Sequence, residues 1–143
     1  SNLNLKKELQ TKKNTFLKKD FTKLETLVKK VDHIYSRFTL HSITKEEQIR
    51  TLKWAYKNLK KGGFFHIEVR GKKNELYKKG TPSKTEADAY IYENHHRRFI
   101  DFKDLKSDLE DLGFEVIFAK EKKGFAPFKD TDFIFIRIIC QKK

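Results

Sequence analysis

Four consecutive basic side chains are the most concentrated group in the sequence that could bind a charged ligand. His95, His96, Arg97 and Arg98 stand just before a segment with helical spacing. Paired guanidinium groups suit a phosphate or a carboxylate, because their planar N–H donors match two oxygens at once. A solvated basic cluster or a nucleic-acid footprint is an equally good interpretation. Adjacent histidines without a cysteine or a second carboxylate at a set interval do not predict a metal site.

His41 is the best candidate for a general base. Its ordinary pKa lies near neutrality, where a side chain can take up and release protons. It follows a predicted strand by a few residues and precedes a predicted helix. The competing interpretation is that His41 packs against or caps that helix.

Other polar and aromatic residues are weaker candidates for ligand contacts. Arg37 and Arg70 stand at the ends of predicted strands and are candidates to face a pocket. Tyr90 and Tyr92 are candidates to line a substrate site, although aromatic packing explains them equally well. Glu68 lies within a predicted strand and is interpreted as a polar anchor of that strand, not as a catalytic residue.

Two helices are predicted from local signals. Thr44 and Glu47 form a capping box, and apolar residues recur at helical spacing until a Lys-Lys-Gly-Gly turn at 60–63. Asp101 caps a second helix, and Gly113 ends it. The apolar faces of the two helices comprise Ile49, Leu52, Tyr56 and Leu59, then Phe102, Leu105, Leu109 and Leu112.

Short apolar runs alternate with these helices and predict strands. The predicted strands span residues 31–36, 64–69, 114–119 and 133–140, and a short step at 15–18 is a fifth candidate. Residues 3–13 have the character of the end of a polar helix. Residues 71–98 show no clear period and are interpreted as a long loop or cover segment. This order of elements predicts an α/β layered fold.

Composition limits the classes of protein that fit. The 143 residues allow one domain, and 13 Phe with 5 Tyr argue against disorder. The net charge of +13 admits nucleic acid as a partner, but the lysines are spread along the chain. Cys140 alone forms no internal disulfide, which predicts a reducing, cytoplasmic location. No apolar run is long enough to span a membrane. Ser1-Asn2 resembles the residues left after removal of an affinity tag, and the natural protein is therefore expected to begin upstream.

Three stretches resemble a known family, the class I S-adenosylmethionine-dependent methyltransferases. Residues 31–43, VDHIYSRFTLHSI, are similar to the family's fourth strand and the turn after it. Residues 59–69, LKKGGFFHIEV, resemble its junction between a helix and the fifth strand. Residues 111–116, DLGFEV, are similar to its turn before the terminal antiparallel hairpin. The resemblance covers almost all of the chain.

The resemblance implies a partial doubly wound, Rossmann-like sheet with the strand order 4-5-7-6 and a terminal antiparallel hairpin. Residues 1–30 are the remnant of a helix and the third strand, 31–70 hold the fourth strand, a helix and the fifth strand, 71–100 cover the substrate, and 101–143 complete the single domain. Nothing in the sequence resembles the first strands or their glycine-rich turn. The chain is therefore expected to be the carboxyl-terminal half of a longer protein and inactive alone. Its third-strand segment, separated from its usual neighbours, is expected to be displaced, swapped or rebuilt.

The cofactor implied by the resemblance is S-adenosyl-L-methionine. Asp20 and Phe21 fall where the family contacts the adenine, although Asp20 starting a turn is an equal interpretation. Ser36, Arg37 and Phe38 lie at the carboxyl end of the fourth strand, where ligands bind in open α/β sheets, so they are expected to border the methionine part of the cofactor. His41 is then the base, and the substrate contacts are Arg70, Tyr90, Tyr92, His96, Arg97 and Arg98.

Three functions remain open from the sequence. The leading one is methyl transfer to a small-molecule acceptor, such as a sugar or a phosphorylated metabolite of cell-surface glycan synthesis, since the motifs resemble the small-molecule and tellurite-resistance-like branches. The paired arginines suggest an anionic acceptor. The second is a non-catalytic module that dimerises through an exposed sheet edge. The third is a basic nucleic-acid-binding domain.

Overall fold

A computed structural model of the chain describes residues 15–17 and 29–143, with side chains described from residue 29 onward. The predicted helix at 3–13 lies outside the described residues, as do Asp20 and Phe21. Everything that follows concerns the described part of the chain.

A mixed sheet of five strands forms the centre of the fold. Its order is β1 (Thr15–Leu17), β2 (Val31–Arg37), β3 (Leu59–Val69), β8 (Phe135–Lys142) and β7 (Phe114–Lys122). The first three run parallel, and β8 is antiparallel to both of its neighbours. The α/β class and the predicted order of the last four strands with a terminal antiparallel hairpin are thus confirmed.

The short strand β1 lies directly beside β2. Thr15, Phe16 and Leu17 pair with residues 34–36 of β2 in parallel register. The predicted strand at 15–18 is thereby confirmed as Thr15–Leu17. Its assignment by resemblance to the family's third strand, and the displacement expected for that strand, stay predictions.

Helix α1 (Lys45–Asn58) begins where the sequence predicts. The Thr44 hydroxyl accepts the Glu47 N–H at 3.1 Å, and the Glu47 carboxylate accepts the Thr44 N–H at 3.0 Å. The reciprocal pair satisfies two backbone donors that would otherwise lack a partner in the first turn. The predicted capping box is confirmed.

The junction between α1 and β3 differs from the prediction. The sequence predicts a turn at 60–63 and a strand from Phe64, whereas β3 begins at Leu59, directly after the helix. Leu59 pairs with Val31, and the register then shifts so that His33 pairs with Phe64. The Lys-Lys-Gly-Gly residues form a bulge within the strand, with Gly62 at φ +86°. A turn signal and a bulge signal are alike in sequence, because both use glycine for positive φ.

Helix α2 (Phe102–Leu112) leads straight into β7. Asp101 caps its first turn by accepting the Asp104 N–H at 3.0 Å, and Gly113 at φ +112° ends it in the left-handed conformation. A side chain at Gly113 would place a Cβ 2.7 Å from the Tyr56 hydroxyl of α1. The glycine is therefore required both by backbone conformation and by the close approach of the two helices.

Residues 71–98 are more ordered than the predicted long loop. They contain a second, three-stranded antiparallel sheet of β4 (Thr81–Pro82), β5 (Ala89–Tyr92) and β6 (His95–Arg98). The interpretation as an irregular loop was wrong here because the strands are short and largely polar, so they carry no alternating apolar pattern. This small sheet is attached to the main sheet through a parallel bridge between Gly71 and Ile100.

The core lies between the large sheet and the two helices. Ile34, Phe65 and Ile138 of the sheet are fully buried against Leu52 of α1 and Leu105 of α2. Cys140 is also fully buried, and burial raises the pKa of its thiol. No helix among the described residues has both the length and the apolar character needed to cross a lipid bilayer.

Candidate functional site

The carboxyl ends of β2 and β3 meet at one edge of the sheet, where some of the predicted site residues lie. The chain turns sharply after β2 at Phe38, which has φ +59° and donates its N–H to the Glu68 carbonyl at 2.7 Å. A 3₁₀ turn, Leu40–Ser42, follows and carries His41. On the neighbouring strand, Arg70 comes directly after the last residue of β3. Ligands bind at this kind of edge in open α/β sheets.

His41 is almost completely buried at this edge, with 6% of its surface exposed. Its Nδ1 accepts the backbone N–H of Arg70 at 3.2 Å. Burial, followed by the positive charges of Arg70, Arg97 and Arg98, lowers the pKa of His41 to about 3. The side chain is therefore neutral over the physiological range.

The guanidinium of Arg70 is half-buried and held in a fixed position. Its Nη1 donates to the Asn74 side-chain carbonyl at 3.2 Å, and the group lies over the Phe135 ring at 4.9 Å from the centroid. Its Nε is buried without a hydrogen-bond partner in the described part of the chain. Burial and the charge of Arg97 lower the pKa of Arg70 to about 10, while Glu75 opposes this. Arg70 remains cationic, and a second cation stands near it.

The two arginines of the predicted basic cluster have different surroundings. Arg98 is 5% exposed, and its guanidinium donates to the Leu40 carbonyl at 3.1 Å, to the Ile43 carbonyl at 2.9 Å and to the Gln48 side chain. Those donors are used inside the protein, so Arg98 fastens the small sheet to the 3₁₀ turn. Arg97 is half-buried and adds positive charge to the surroundings of Arg70.

Glu68 forms an ion-pair network on the side of the sheet away from the helices. Its carboxylate, only 10% exposed, lies 3.3 Å from Arg37 Nε and 2.9 Å from Arg137 Nη2. Arg137 also donates to the Phe125 carbonyl at 3.2 Å. A buried carboxylate between two guanidinium groups joins the ends of β2, β3 and β8. The sequence interpretation of Glu68 as a polar anchor agrees with this arrangement.

The residues predicted to border the cofactor are adjacent to this network. The Ser36 hydroxyl is buried and lies 2.8 Å from the Thr39 hydroxyl. The Arg37 guanidinium lies over the ring of Phe38 at 4.8 Å, and that ring in turn contacts Phe135, with 5.1 Å between centroids. The loop after β2 is therefore fixed by packing on both sides.

The predicted tyrosines belong to the small sheet. Tyr90 packs edge-on against Tyr77, with 5.9 Å between centroids, and also contacts Phe99. This favours the packing interpretation that the sequence left open for it. Tyr92 is half-buried and His96 is exposed, and no contact in the described part of the chain joins either to His41 or Arg70. The structure thus brings together only part of the predicted substrate set.

Several residues at the edge were not singled out from the sequence. Asn74 holds Arg70 and donates to the Ile134 carbonyl at 2.7 Å, while the Glu75 carboxylate accepts the Ile134 N–H at 2.8 Å. Gln48 is fully buried on α1, where its Nε2 has no partner among the described residues. The buried face of α1 also carries Thr51 and Asn58, so no pattern distinguished Gln48 in the sequence. Asn74 lies in a polar stretch of the sequence, where no pattern distinguished it from its neighbours.

The glycines of the chain serve turns and close packing. A Cβ at Gly71 would meet Ile136 at 2.5 Å, and one at Gly80 would meet the Ile91 carbonyl at 2.0 Å. Gly124 sits in a turn and donates its N–H to Asp132 at 2.8 Å. No glycine precedes Gly62 in the sequence.

Several solved structures with the same fold are described as methyltransferases. A methyltransferase of Methanosarcina mazei matches at 18% identity and a TM-score of 0.70, covering 86% of this chain and 64% of its own. The Burkholderia thailandensis 1,6-didemethyltoxoflavin-N1-methyltransferase, solved with that substrate and S-adenosylhomocysteine, matches at 15% identity and 0.60, covering 85% and 48%. A possible histamine N-methyltransferase of Thermotoga maritima matches at 21% identity and 0.59, covering 89% and 63%.

The chain spans about half to two thirds of the length of these structures. No curated protein matches it. A family described as the methyltransferase domain matches residues 3–118, which include β1, β2, α1, β3, the small sheet and α2. With most of its length matched in this way, the chain belongs to the methyltransferase-domain family.

Proposed function

We propose that this chain supplies the acceptor side of an S-adenosylmethionine-dependent methyltransferase whose acceptor is a small molecule with negative charge. The observation that supports it is the meeting of His41, Arg70 and Arg97 at the carboxyl edge of a methyltransferase sheet. Two half-buried guanidinium groups favour a carboxylate or a phosphate as their ligand. A phosphorylated sugar or other phosphorylated metabolite of cell-surface glycan synthesis would carry the negative charge that suits this edge.

The described residues would form only part of a binding site for the cofactor. The solved relative with bound S-adenosylhomocysteine supports S-adenosyl-L-methionine as the cofactor of the family. A nucleoside cofactor needs backbone that approaches it closely, which glycines allow. Gly71, Gly80 and Gly113 are pressed against their own neighbours, and the sequence has no glycine before Gly62. We therefore expect this chain alone to bind the cofactor weakly and to be inactive.

Three residues proposed to contact the cofactor lie at the carboxyl end of β2 and just after it. Ser36, Arg37 and Phe38 would border its methionine part. Asp20 and Phe21, outside the described residues, would contact its adenine. When bound, the cofactor would supply the methyl group, and this chain would hold the acceptor in line with it.

The remaining residues of the edge act on the acceptor. Arg70 is positioned by Asn74 and by the Phe135 ring, so its guanidinium pays little additional entropy when it binds an anion. Arg97 supplies the second positive charge. The rings of Phe38 and Phe135 pack together beside Arg70 and exclude water from that side. Exclusion of water strengthens the attraction between the guanidinium groups and an anion.

Calorimetric titration with S-adenosylhomocysteine tests the cofactor assignment. The titration is run on this chain and on the product of its full reading frame. We expect micromolar binding by the full product and none by the chain alone. Absence of binding by both would overturn the methyltransferase proposal.

Transfer of a radiolabelled methyl group tests the charge of the acceptor. The full product is incubated with labelled S-adenosylmethionine and a small-molecule cell extract, which is then separated on an anion-exchange column. We expect the label in the retained fraction. Arg70→Met should reduce its amount by about 10- to 100-fold, the value of a lost charged hydrogen bond, while Arg50→Met on the exposed face of α1 should not. Label in the unretained fraction would contradict an anionic acceptor.

A further inference from the structure

The proton on the His41 ring is located by a single hydrogen bond. Nδ1 of His41 accepts the backbone N–H of Arg70 at 3.2 Å. A backbone amide can only donate, so Nδ1 carries no proton. The neutral ring therefore carries its proton on Nε2, and its tautomer is fixed by the main chain at the end of β3.

A second proton on this ring would meet two obstacles. A proton on Nδ1 would point at the Arg70 N–H and break that hydrogen bond. Among the described residues, the charged groups that act on the ring are all cationic: Arg70 at the end of β3, and Arg97 and Arg98 on β6. The ring beside it, from the loop after β2, is the apolar Phe38, 6.2 Å away between centroids. None of these groups stabilises an imidazolium.

The other ring nitrogen has no hydrogen-bond partner among residues 29–143. The atom is not fully enclosed, unlike Gln48 Nε2 and Arg70 Nε, which are buried without a partner in this part of the chain. An N–H that keeps contact with solvent at a ligand-binding edge is available to a ligand. It lies in the same surroundings as Arg70 and Arg97.

We infer that His41 binds the methyl acceptor as a neutral donor, through Nε2–H, and does not remove a proton from it. The inference rests on the function proposed above and changes the role that the sequence predicted for His41 from base to donor. It also restricts the acceptor, which must present a lone pair to His41 and a negative group to the arginines. The atom that is methylated must then be deprotonated already, or release its proton to solvent.

Nuclear magnetic resonance on this chain tests the tautomer without any substrate. Long-range proton–nitrogen correlation spectra of a sample labelled with ¹⁵N-histidine distinguish Nε2–H from Nδ1–H, and the spectrum of His41→Asn assigns the signals. We expect the Nε2–H pattern for His41 at every pH from 8 to 5. An Nδ1–H pattern, or conversion to imidazolium above pH 5, would overturn the inference whatever the protein methylates.

Two substitutions test the role in transfer, using the radiolabel assay with the full product. His41→Gln can place an amide N–H near the position of Nε2, whereas His41→Asn can accept the Arg70 N–H but has no donor there. We expect His41→Asn to lose about 10- to 100-fold in transfer and His41→Gln to retain most of it. The transfer rate of the wild-type protein, plotted against pH, should show no ionisation of His41 between pH 5 and 8.

The possible failures are distinguishable. One outcome would show that His41 acts as a base and would overturn the inference. In it both variants lose the same amount of transfer, and the wild-type rate falls at acidic pH whereas that of His41→Gln does not. Absence of label from every fraction would overturn the proposed function instead, while the spectra would still decide the tautomer.

Discussion

At the scale of single residues, Arg98 shows how a basic motif can be structural. It appears in sequence beside Arg97 as one of a pair, yet its donors are bound to Leu40, Ile43 and Gln48 inside the protein. The partners at 40 and 43 are 58 and 55 positions away. No local pattern could reveal this, because the contact depends on how the small sheet meets the main one.

Replacement of Arg98 should therefore cost stability, and replacement of its neighbour should not. We expect Arg98→Met to lower the free energy of unfolding by about 2–4 kcal/mol, because buried carbonyls and an amide lose their donor. Arg97→Met, the matched control, should change it by less than about 1 kcal/mol. Urea denaturation followed by circular dichroism measures both. Equal effects of the two substitutions would contradict the structural role of Arg98.

Two histidines, His41 almost completely and His66 partly buried, make stability depend on pH. Burial lowers the pKa of His41 to about 3 with the help of three arginines, and burial with the charge of His33 lowers that of His66 to about 4. Both values lie below the ordinary 6.5, so below that pH the unfolded chain binds protons that the folded chain does not. Stability should fall as the pH falls from about 6.5 towards 4.

The expected loss at pH 5.5 is about 1–1.5 kcal/mol for His41 and somewhat less for His66, which solvent screens in part. Urea midpoints at pH 7.5, 6.5 and 5.5 measure it, in a range where most carboxylates stay ionised. His66→Phe keeps the ring stacked beside Tyr35 and should reduce the slope. A stability that does not change across these three pH values would contradict both shifted pKa values.

At the scale of elements, both described helices and the five strands of the main sheet could be predicted, because caps and apolar periods are local signals. Thr44 and Asp101 mark the helix starts in the sequence and in the structure. The small sheet could not be predicted, since its strands of two to four residues are held by pairing with each other and by the aromatic contacts of Tyr77 and Tyr90. At the site, His41 and Arg70 were identified, but the hydrogen bond between them was not.

Gly113 provides a test of the packing between α1 and β7. Alanine at Gly113 and at Gly62 would each adopt a positive φ, which costs about 1 kcal/mol. Only Gly113→Ala also crowds the Tyr56 hydroxyl, so we expect it to cost about 1–3 kcal/mol more than Gly62→Ala. Thermal or urea unfolding gives the difference. Tyr56→Phe in the Gly113→Ala background should recover part of that loss, and no recovery would show that crowding is not its cause.

The edges of the main sheet bear on the predicted dimer. β1 covers residues 34–36 of β2, so the edge expected to be exposed is partly occupied by the chain itself. At the other edge, β7 carries exposed Lys120 and Lys122 and a bulge between Val116 and Phe118. Charges and bulges discourage pairing between edges. Dimerisation stays a prediction, with β1 as its candidate contact.

At the scale of the whole molecule, the net charge of +13 is the most conspicuous property. Such a charge attracts nucleic acid through counterion release, which salt suppresses. We expect weak binding without sequence preference to fluorescent DNA or RNA at 50 mM salt, falling at least about tenfold at 200 mM. Fluorescence anisotropy measures it. Submicromolar binding that survives the higher salt would favour the nucleic-acid function over methylation of a small molecule.

The buried thiol of Cys140 has a practical consequence for this molecule. It is the single cysteine of the chain, it lies in β8 between β3 and β7, and its side chain is fully buried in the core. A reagent that alkylates thiols can reach it only when the core opens. The rate of alkylation under native conditions therefore measures how often this opening occurs. Mass spectrometry detects the product as one added group. Neither a label nor an engineered probe is needed to follow how often that opening occurs.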